Sequence, residues 1–391
     1  MLKNLYVVYM KIVFAIDSFK GCMSSLEAAS SAEIGAKKVF PKAKCIKIAV
    51  ADGGEGTLEA LACIKGAKKM SVQVNNPIGK KVVAEYVLYK EKGKICSAIE
   101  SAQACGITLL KKLEPMKAST FGLGEIILSA YKNGARKFLI GLGGSATSDG
   151  GMGMLASLGA KFFDKNKNQI KSFGGENLSK VATADFSAIP QDLLKCEFEI
   201  LCDVKNPLYN KLGAAYVFSP QKGASSEQVK LLDSGLKSYS KVLAKSLGND
   251  VSKNEGAGAA GGLGFAFMAV LNAKKTSGID GVLDALNFTS AIKNADYVIT
   301  GEGRLDRQSA MGKTPCGIAL RAKKQAIPVF AIGGGIADGA ETLYDCGVSA
   351  MFAIASSPTS LEDAMKPDVA KKNIANCVES IFRIIKSNRK K

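Results

Sequence analysis

The sequence predicts an α/β protein: a doubly wound parallel sheet built from both ends of the chain, with a second, mixed α/β domain inserted. Strands alternate with helices at the start, a β-rich stretch interrupts the alternation, and the alternation resumes after Ile292. The length of 391 residues fits two or three domains. We therefore expect one discontinuous domain, residues 1–67 and 291–391, around an inserted domain, residues 68–290.

The N-terminal elements follow from apolar runs separated by turn residues. They are a strand at Lys11–Ile16, a helix at about Ser24–Val39, a strand at Cys45–Val50 and a helix at Thr57–Ile64. Ser71–Ser101 is then rich in valine and isoleucine, with turns at Pro77–Gly79 and near Gly93. This pattern of β-prone residues and turns is typical of an antiparallel meander, and we expect it to begin a different domain.

The remaining elements alternate in type. In the inserted domain we expect helices at Thr120–Lys132, Gly153–Leu158 and Ser226–Leu247, strands at Lys137–Ile140 and Phe198–Cys202, and a glycine-rich loop feeding a packed helix over Gly256–Leu271. After it we expect strands at Tyr297–Thr300, Val329–Ile332 and Ala350–Ile354, and helices at Pro315–Lys324 and Val369–Ile385.

The composition excludes several kinds of catalysis. The chain has no histidine, so Ser-His-Asp and Cys-His mechanisms and histidine-ligated zinc are ruled out. Its net charge of +18 comes mostly from lysines spread along the whole chain. Binders of nucleic acid concentrate basic residues and interleave aromatic ones, so we expect no nucleic-acid partner. A positive field would still attract an anionic substrate.

Cysteines and apolar runs indicate a cytoplasmic protein. The 10 cysteines contain no C-x-x-C pair, which favours reduced thiols over a disulfide framework or a metal site. The apolar start is interrupted by Lys11 and lacks a cleavage signal, so we expect no signal peptide. Translation starting at Met1 or at Met10 stays open. No run approaches the roughly 18 apolar residues of a membrane span.

Five predicted strands are followed by an acidic residue, and most of these loops add glycine, lysine or arginine. In open α/β sheets, ligands bind beyond the carboxyl ends of the strands, so we expect these loops to form a functional cleft. The loops are Asp17–Gly21, Ala51–Thr57, Gly141–Gly151, Asp203–Pro207 and Gly301–Arg307.

The residue types in these loops favour phosphoryl transfer. Gly141–Gly151 offers bare amides and hydroxyls that can surround phosphate oxygens, and it leads toward a helix N-terminus. Candidate cations are Lys20, Arg304 and Lys313; candidate metal ligands or proton acceptors are Asp17, Asp52, Asp203 and Glu302. Phosphoryl transfer uses anion-binding amides, a cation, a metal and one carboxylate.

Two further features bear on the substrate. Only six arginines occur, yet Arg304 and Arg307 lie within four positions of each other. We expect the planar guanidinium group of Arg304 to bind a substrate carboxylate, whereas Arg307 either shares such a role or is a surface helix residue.

A rival interpretation is dinucleotide binding, because Gly141-x-Gly143-x-x-Ala146 follows a strand. Asp149-Gly-Gly151 opposes it, since these poor helix formers stand where the crossover helix should continue.

These loops resemble the bacterial type 1 glycerate kinase family. The similar segments run in order along nearly the whole chain: Asp17–Gly21, Ala51–Thr57, Gly141–Gly151, Asp203–Leu208, Pro220–Ala224, Gly256–Gly264, Thr300–Asp306 and Gly312-Lys313. The resemblance implies ATP- and Mg-dependent phosphorylation of D-glycerate, mostly to 2-phosphoglycerate, and a flavodoxin-like domain with the ligand cleft between it and the inserted domain. Ile16 and Ser148 depart from the proline and asparagine we expect there, and residues 1–9 have no counterpart.

With that resemblance we assign roles. Nucleotide phosphates are assigned to Gly143, Gly144, Ser145, Thr147 and Lys313, with Lys20 against the transferring phosphoryl group. The general base is Asp203 as first choice and Asp52 as second, and Asp52 and Glu302 are the Mg ligands. Arg304 holds the glycerate carboxylate, with Asp306 and Ser18 in the substrate site.

Structural alternatives stay open for several of these residues. Asp203 could cap a turn, Asp306 could cap the helix after it, and Asp149 is expected to brace its loop. Gly256–Gly264 either permits close packing or contacts substrate. The function also has alternatives: a glycerate 3-kinase, a kinase of another small hydroxy acid, or a dinucleotide-dependent oxidoreductase. The oligomeric state, monomer or homo-oligomer, stays open.

Overall fold

The computed structural model describes residues 10–388. The expectation for a start of translation at Met1 concerns residues 1–9, which lie outside the described residues, as do residues 389–391. The strands are β1 Lys11–Ile16, β2 Lys44–Lys47, β3 Lys68–Asn75, β4 Lys81–Glu91, β5 Lys94–Glu100, β6 Lys137–Gly141, β7 Lys161–Phe163, β8 Thr183–Asp185, β9 Glu197–Leu201, β10 Lys274–Thr276, β11 Tyr297–Leu305, β12 Val329–Ile336 and β13 Val348–Ala353.

The helices alternate with these strands over most of the chain. They are α1 Ser25–Val39, α2 Thr57–Ala62, α3 Ala102–Cys105, α4 Phe121–Lys132, α5 Met152–Leu158, α6 Gln191–Leu194, α7 Ala214–Phe218, α8 Ser226–Leu247, α9 Ala259–Val270, α10 Gly278–Ala285, α11 Phe288–Ala291, α12 Arg307–Ala310, α13 Thr314–Lys323, α14 Leu343–Cys346, α15 Leu361–Ala364 and α16 Pro367–Asn388. Within residues 10–388, every helix is too short or too polar to cross a bilayer.

The chain divides into two compact units. Among the described residues, the first contains those up to Asp52, the segment Glu59–Cys63 and those from Val282 to Asn388. The second contains Gly53–Leu58 and Ile64–Gly281.

The first unit is built on a five-stranded parallel sheet in the order β13-β12-β11-β1-β2. Numbered within the sheet, the order is 2-1-3-4-5, that of flavodoxin-like doubly wound sheets. The interior strand β1, between β11 and β2, buries Ile12–Ile16 completely, as a strand covered on both faces must. Helices α1 and α16 pack closely, since a Cβ at Gly35 would collide with the carbonyl oxygen of Ala375.

The second unit is built on a mixed six-stranded sheet in the order β10-β9-β6-β5-β4-β3. Strands β3, β4 and β5 pair antiparallel, which confirms the predicted meander, and β5, β6, β9 and β10 pair parallel. The long helix α8 begins with a capping box, in which Ser225 and Gln228 bond each other's backbone amides. Its predicted bounds, Ser226–Leu247, are confirmed.

Three predictions from the sequence are wrong in detail. Strand β11 does not end at Thr300 but continues to Leu305, because β12 also extends and pairs Glu302 with Gly333 and Arg304 with Gly335. Strand β2 ends at Lys47 rather than at Val50, where its pairing with β1 stops.

The third correction concerns the thiols. Cys316 and Cys346 form a disulfide across a sequence separation of 30 residues. Their Cα atoms are 5.4 Å apart because α13 and α14 are neighbours, a proximity that cysteine spacing does not reveal.

Candidate active site

A cavity of about 620 Å³ in the first unit lies where the sheet order reverses. Residues following β1 and residues of β11 line it, and β1 and β11 are adjacent strands at that reversal. Doubly wound sheets bind ligands at this switch point. We call six of its charged residues the polar compartment: Asp17, Lys20, Asp52, Glu302, Arg304 and Lys313.

Asp17 is the most constrained acid of the polar compartment. Its backbone amide donates to the Gly301 carbonyl at 2.9 Å, which fixes the end of β1 beside β11. Asp17 as a residue is only 6% exposed, and its carboxylate accepts hydrogen bonds from the Thr314 hydroxyl at 2.6 Å and from the Ser18 amide at 2.7 Å. Burial raises the pKa of Asp17 to about 6, and the bond from Thr314 limits the rise.

Glu302 lies in the part of β11 that was expected to be loop. Its Oε1 atom is buried and has no hydrogen-bond partner among the residues that the structure describes. Burial raises the pKa of Glu302 to about 7, although the Ser309 hydroxyl and the charge of Lys313 oppose the rise. A buried carboxylate oxygen left unpaired in a cavity is a group that a ligand can satisfy.

The cations of the polar compartment differ in how far they are engaged. Lys20 and Arg304 are exposed, and within residues 10–388 the Arg304 guanidinium has neither an ion pair nor a hydrogen bond. Lys313 donates to Gln308 Oε1 at 3.2 Å. Arg304 is therefore available for a planar anion such as a carboxylate.

Asp306 and Ser18 also line the cavity, but their polar groups are partly used by the fold. Asp306 is the N-cap of α12 and accepts from the Gln308 amide at 2.8 Å and the Ser309 amide at 3.3 Å. The expected capping alternative for Asp306 is therefore confirmed. Ser18 fixes Asp17 through its backbone, and its hydroxyl is the group left for a substrate.

The oxygen ligands of the polar compartment fit a magnesium ion only if substrate phosphates supply further ligands. No group of three or more potential ligands is assembled among the described residues. Mg²⁺ is commonly held by one or two carboxylates together with substrate phosphates, and the unpaired Glu302 oxygen and Asp52 suit that mode.

The glycine loop between β6 and α5 belongs to the second unit. Gly143 and Gly144 are exposed, whereas Ser145 and Thr147 are buried. Lys222, itself 2% exposed, donates to Ser145 Oγ at 3.0 Å and to the Thr147 carbonyl at 2.6 Å. Burial lowers the pKa of Lys222 to about 8. The loop therefore presents two glycines outward and holds its hydroxyl residues inward on a buried lysine.

The N-terminus of α5 is filled by the protein's own carboxylate. Asp149 is completely buried and accepts from the amides of Gly151 and Gly153, both at 3.2 Å, and from the amide and hydroxyl of Thr120, both at 2.8 Å. This confirms Asp149 as a loop brace. The anion site expected at this helix start is therefore already occupied.

The structure also describes the surroundings of three further predicted features of the second unit: Asp203, the glycine-rich stretch Gly256–Gly264 and the dinucleotide fingerprint. Asp203 is exposed and accepts from the Gly278 amide at 2.9 Å. Side chains at Gly261 and Gly264 would collide with the carbonyl oxygens of Thr147 and Gly256, which favours the packing role for that stretch. The ten residues between β6 and α5 also contradict a dinucleotide fingerprint, in which the helix follows the strand closely.

The structure places some predicted residues in one cavity of the first unit and others in the second unit. Eight share one cavity of the first unit: Asp17, Ser18, Lys20, Asp52, Glu302, Arg304, Asp306 and Lys313. Five lie in the second unit: Gly143, Gly144, Ser145, Thr147 and Asp203. Reasoning from sequence missed Thr314, which has no local signal, and Lys222, whose signal was its place in Pro220–Ala224.

Comparison with known proteins assigns this architecture to a family. Residues 12–386 match the model of the glycerate kinase family. The chain is 43% identical to a glycerate kinase of Bacillus cereus over 96% of its length and 98% of the relative's. It is 42% identical to glycerate 2-kinase of Escherichia coli over 91% of its length and 93% of the relative's. A crystal structure of a putative glycerate kinase 2 from Salmonella typhimurium matches with a TM-score of 0.88 at 38% identity, covering 98% of this chain and all of that one.

Proposed function

Because this chain belongs to the glycerate kinase family, its activity is phosphoryl transfer to glycerate, and we propose that ATP is the donor and the 2-hydroxyl of D-glycerate the acceptor. The product is then 2-phosphoglycerate. The name of the Escherichia coli relative, glycerate 2-kinase, supports the choice of hydroxyl.

The observation that carries this proposal is the polar compartment, where Asp17 and the partly buried Glu302, both with raised pKa values, share one cavity with the exposed cations Lys20 and Arg304. Arg304 holds the glycerate carboxylate through its planar fork. Lys20 lies against the transferring phosphoryl group, where its charge offsets the negative charge of the phosphate oxygens. Ser18 and Asp306 complete the acceptor site.

The hydroxyl proton needs a carboxylate within the acceptor site. Asp17 suits this role because its pKa of about 6 lies near the working pH and its bonds to Thr314 and Ser18 fix its orientation. Asp203, the first choice from sequence, and Asp52 remain competing proposals. Comparing kcat of the variants Asp17→Asn, Asp52→Asn and Asp203→Asn distinguishes the three.

The donor phosphates are proposed to bind the ammonium group of Lys313 in the polar compartment. The exposed amides of Gly143 and Gly144, in the second unit, are a separate proposal for phosphate contacts. Ser145 and Thr147 support the loop from inside. Asp52 and Glu302 would hold Mg²⁺, which would supply positive charge against the negative charge that develops during transfer.

A coupled assay tests the proposal. The protein is incubated with ATP, Mg²⁺ and D-glycerate, enolase is added, and phosphoenolpyruvate is followed by its absorbance. A signal with enolase alone supports transfer to the 2-hydroxyl. A signal that also requires phosphoglycerate mutase identifies the 3-hydroxyl as acceptor. No signal with active coupling enzymes refutes glycerate as the acceptor and directs the assay to other small hydroxy acids.

A further inference from the structure

The cavity of the first unit has a second part that acceptor chemistry does not use. We call it the apolar compartment and define it by Ile354, Ala355, Leu361, Ala364, Met365 and Ala370. These residues follow β13 and belong to α15, the segment after it and the start of α16. The acids of the polar compartment follow β1 and β2 or lie in β11, and β12 stands between β11 and β13 in the sheet.

The cavity is larger than a three-carbon acid requires. A volume of about 620 Å³ is within the range of about 300–1,000 Å³ found for pockets that enclose drug-sized ligands. Leu361 and Met365 line it although they are 76% and 37% exposed. Apolar side chains exposed around a cavity indicate an apolar occupant.

We propose that the apolar compartment binds the purine base of the nucleotide donor. The proposal rests on the proposed function, which requires a nucleotide, and adds the location of its base. The compartment belongs to the same switch-point cavity at which doubly wound sheets hold nucleotides. Met365 also lies close to the residues assigned to the transferring phosphoryl group. Its Cε is 3.2 Å from the position that a Cβ atom on Gly21 would occupy, and Gly21 directly follows Lys20.

A single amide supplies the polar contact that a base requires. Asn373 lines the cavity, is 9% exposed and accepts at Oδ1 from the Ser356 hydroxyl at 3.2 Å. No described residue accepts a hydrogen bond from its Nδ2 group. A side-chain amide pairs with adenine by donating to a ring nitrogen and accepting from the exocyclic amine, and Oδ1 keeps a second lone pair for that purpose.

Because the chain contains no tryptophan, one introduced tryptophan reports on the compartment directly. Leu361→Trp places an indole at the exposed edge, and Glu362→Trp, on the same helix but outside the cavity lining, is the matched control. We expect AMP and adenosine to quench the Leu361→Trp emission saturably. We expect no change with tripolyphosphate or D-glycerate, and none in Glu362→Trp with any of the four.

A kinetic variant gives an independent readout. Ala364→Trp fills the compartment and should raise KM for ATP by about tenfold or more, a loss of base affinity of about 1.4 kcal/mol, while KM for D-glycerate stays within about twofold. Asn373→Ala should reduce the preference for ATP over GTP. The Glu362→Trp variant should keep both KM values.

Three outcomes would overturn the proposal. A rise in KM for D-glycerate with unchanged KM for ATP assigns the compartment to the acceptor. Quenching by tripolyphosphate equal to that by AMP shows an anion site rather than a base site. If AMP does not change the emission of Leu361→Trp, the apolar compartment does not bind a base. If wild-type protein forms no phosphoglycerate, the proposed function fails by itself, and the AMP titration still tests the base site.

Discussion

Replacing Asp149 with alanine should destabilise the second unit because three buried backbone amides lose their acceptor. These are the amides of Thr120, Gly151 and Gly153, at the starts of α4 and α5. Each buried donor left unsatisfied costs about 1–3 kcal/mol, so the sum is about 3–9 kcal/mol. Burial raises the pKa of Asp149, so removing its charge recovers part of this cost. We therefore expect a net loss of about 4 kcal/mol.

Asparagine at position 149 separates the hydrogen bonds from the charge. The Oδ2 atom accepts from the Thr120 amide, the Thr120 hydroxyl and the Gly153 amide, and an asparagine oxygen at that place keeps all three. Only the bond from Gly151 to Oδ1 is lost. Asp149→Asn should therefore cost about 1–3 kcal/mol, clearly less than Asp149→Ala.

Thermal unfolding followed by far-UV circular dichroism measures both variants. For a unit of this size each kcal/mol lowers Tm by about 2–4 °C, so Asp149→Ala should melt roughly 8–16 °C below wild type. An alanine variant that melts within about 2 °C of wild type refutes the capping argument. An asparagine variant as damaged as the alanine variant shows that the charge, not the hydrogen bonds, stabilises the loop.

Three further predictions concern the first unit. Burial raises the pKa of Asp17 from 3.8 to about 6, so its ionised form destabilises the fold by about 3 kcal/mol above pH 6, and this penalty disappears as pH falls below 3.8. Asp17→Asn should therefore stabilise the protein at pH 8 in urea unfolding while lowering kcat. Arg304→Lys should raise KM for D-glycerate by about 10–100-fold in initial-rate assays, because an ammonium group cannot form the bidentate contact. Cys316→Ser should lower stability by about 3–4 kcal/mol without reductant, since it opens the loop closed with Cys346.

Each of these predictions has a control. Asp17→Asn measured at pH 3.5 should lose its stability advantage, and an advantage that does not change with pH contradicts the burial argument. Arg307→Lys, at an exposed neighbouring position, should leave KM unchanged; equal effects at 304 and 307 would indicate a general loss of positive charge. With reductant present, Cys316→Ser and wild type should unfold alike, and a difference that persists shows a packing effect instead.

Local patterns in the sequence predicted the bounds of elements whose structure depends on their own residues. The bounds Lys11–Ile16 and Ser226–Leu247 are confirmed because an apolar run and a capping box are properties of adjacent residues. The acidic loops after strands were also visible, since parallel strands place such loops at one edge of a sheet. The family resemblance depended on the same ordered loops.

Long-range neighbours decided what those patterns could not. Strand β11 continues to Leu305 because β12 pairs with it, and no residue within β11 indicates that partner. Asp17 and Glu302 meet in one cavity although 285 positions separate them. In the second unit, Asp149 fills the helix start that the loop sequence offered to phosphate, and Lys222 draws the loop hydroxyl residues inward.

The sequence by itself therefore determined the element types, the acidic loops that follow the strands and the family. Hydrophobic period, caps and turn residues act over a few neighbouring positions, and the sequence displays those positions directly. The tertiary structure alone decided which acids are buried, which hydroxyl groups remain available and which cysteines pair. Burial and hydrogen-bond saturation depend on segments distant in sequence, and only the folded chain brings those segments together.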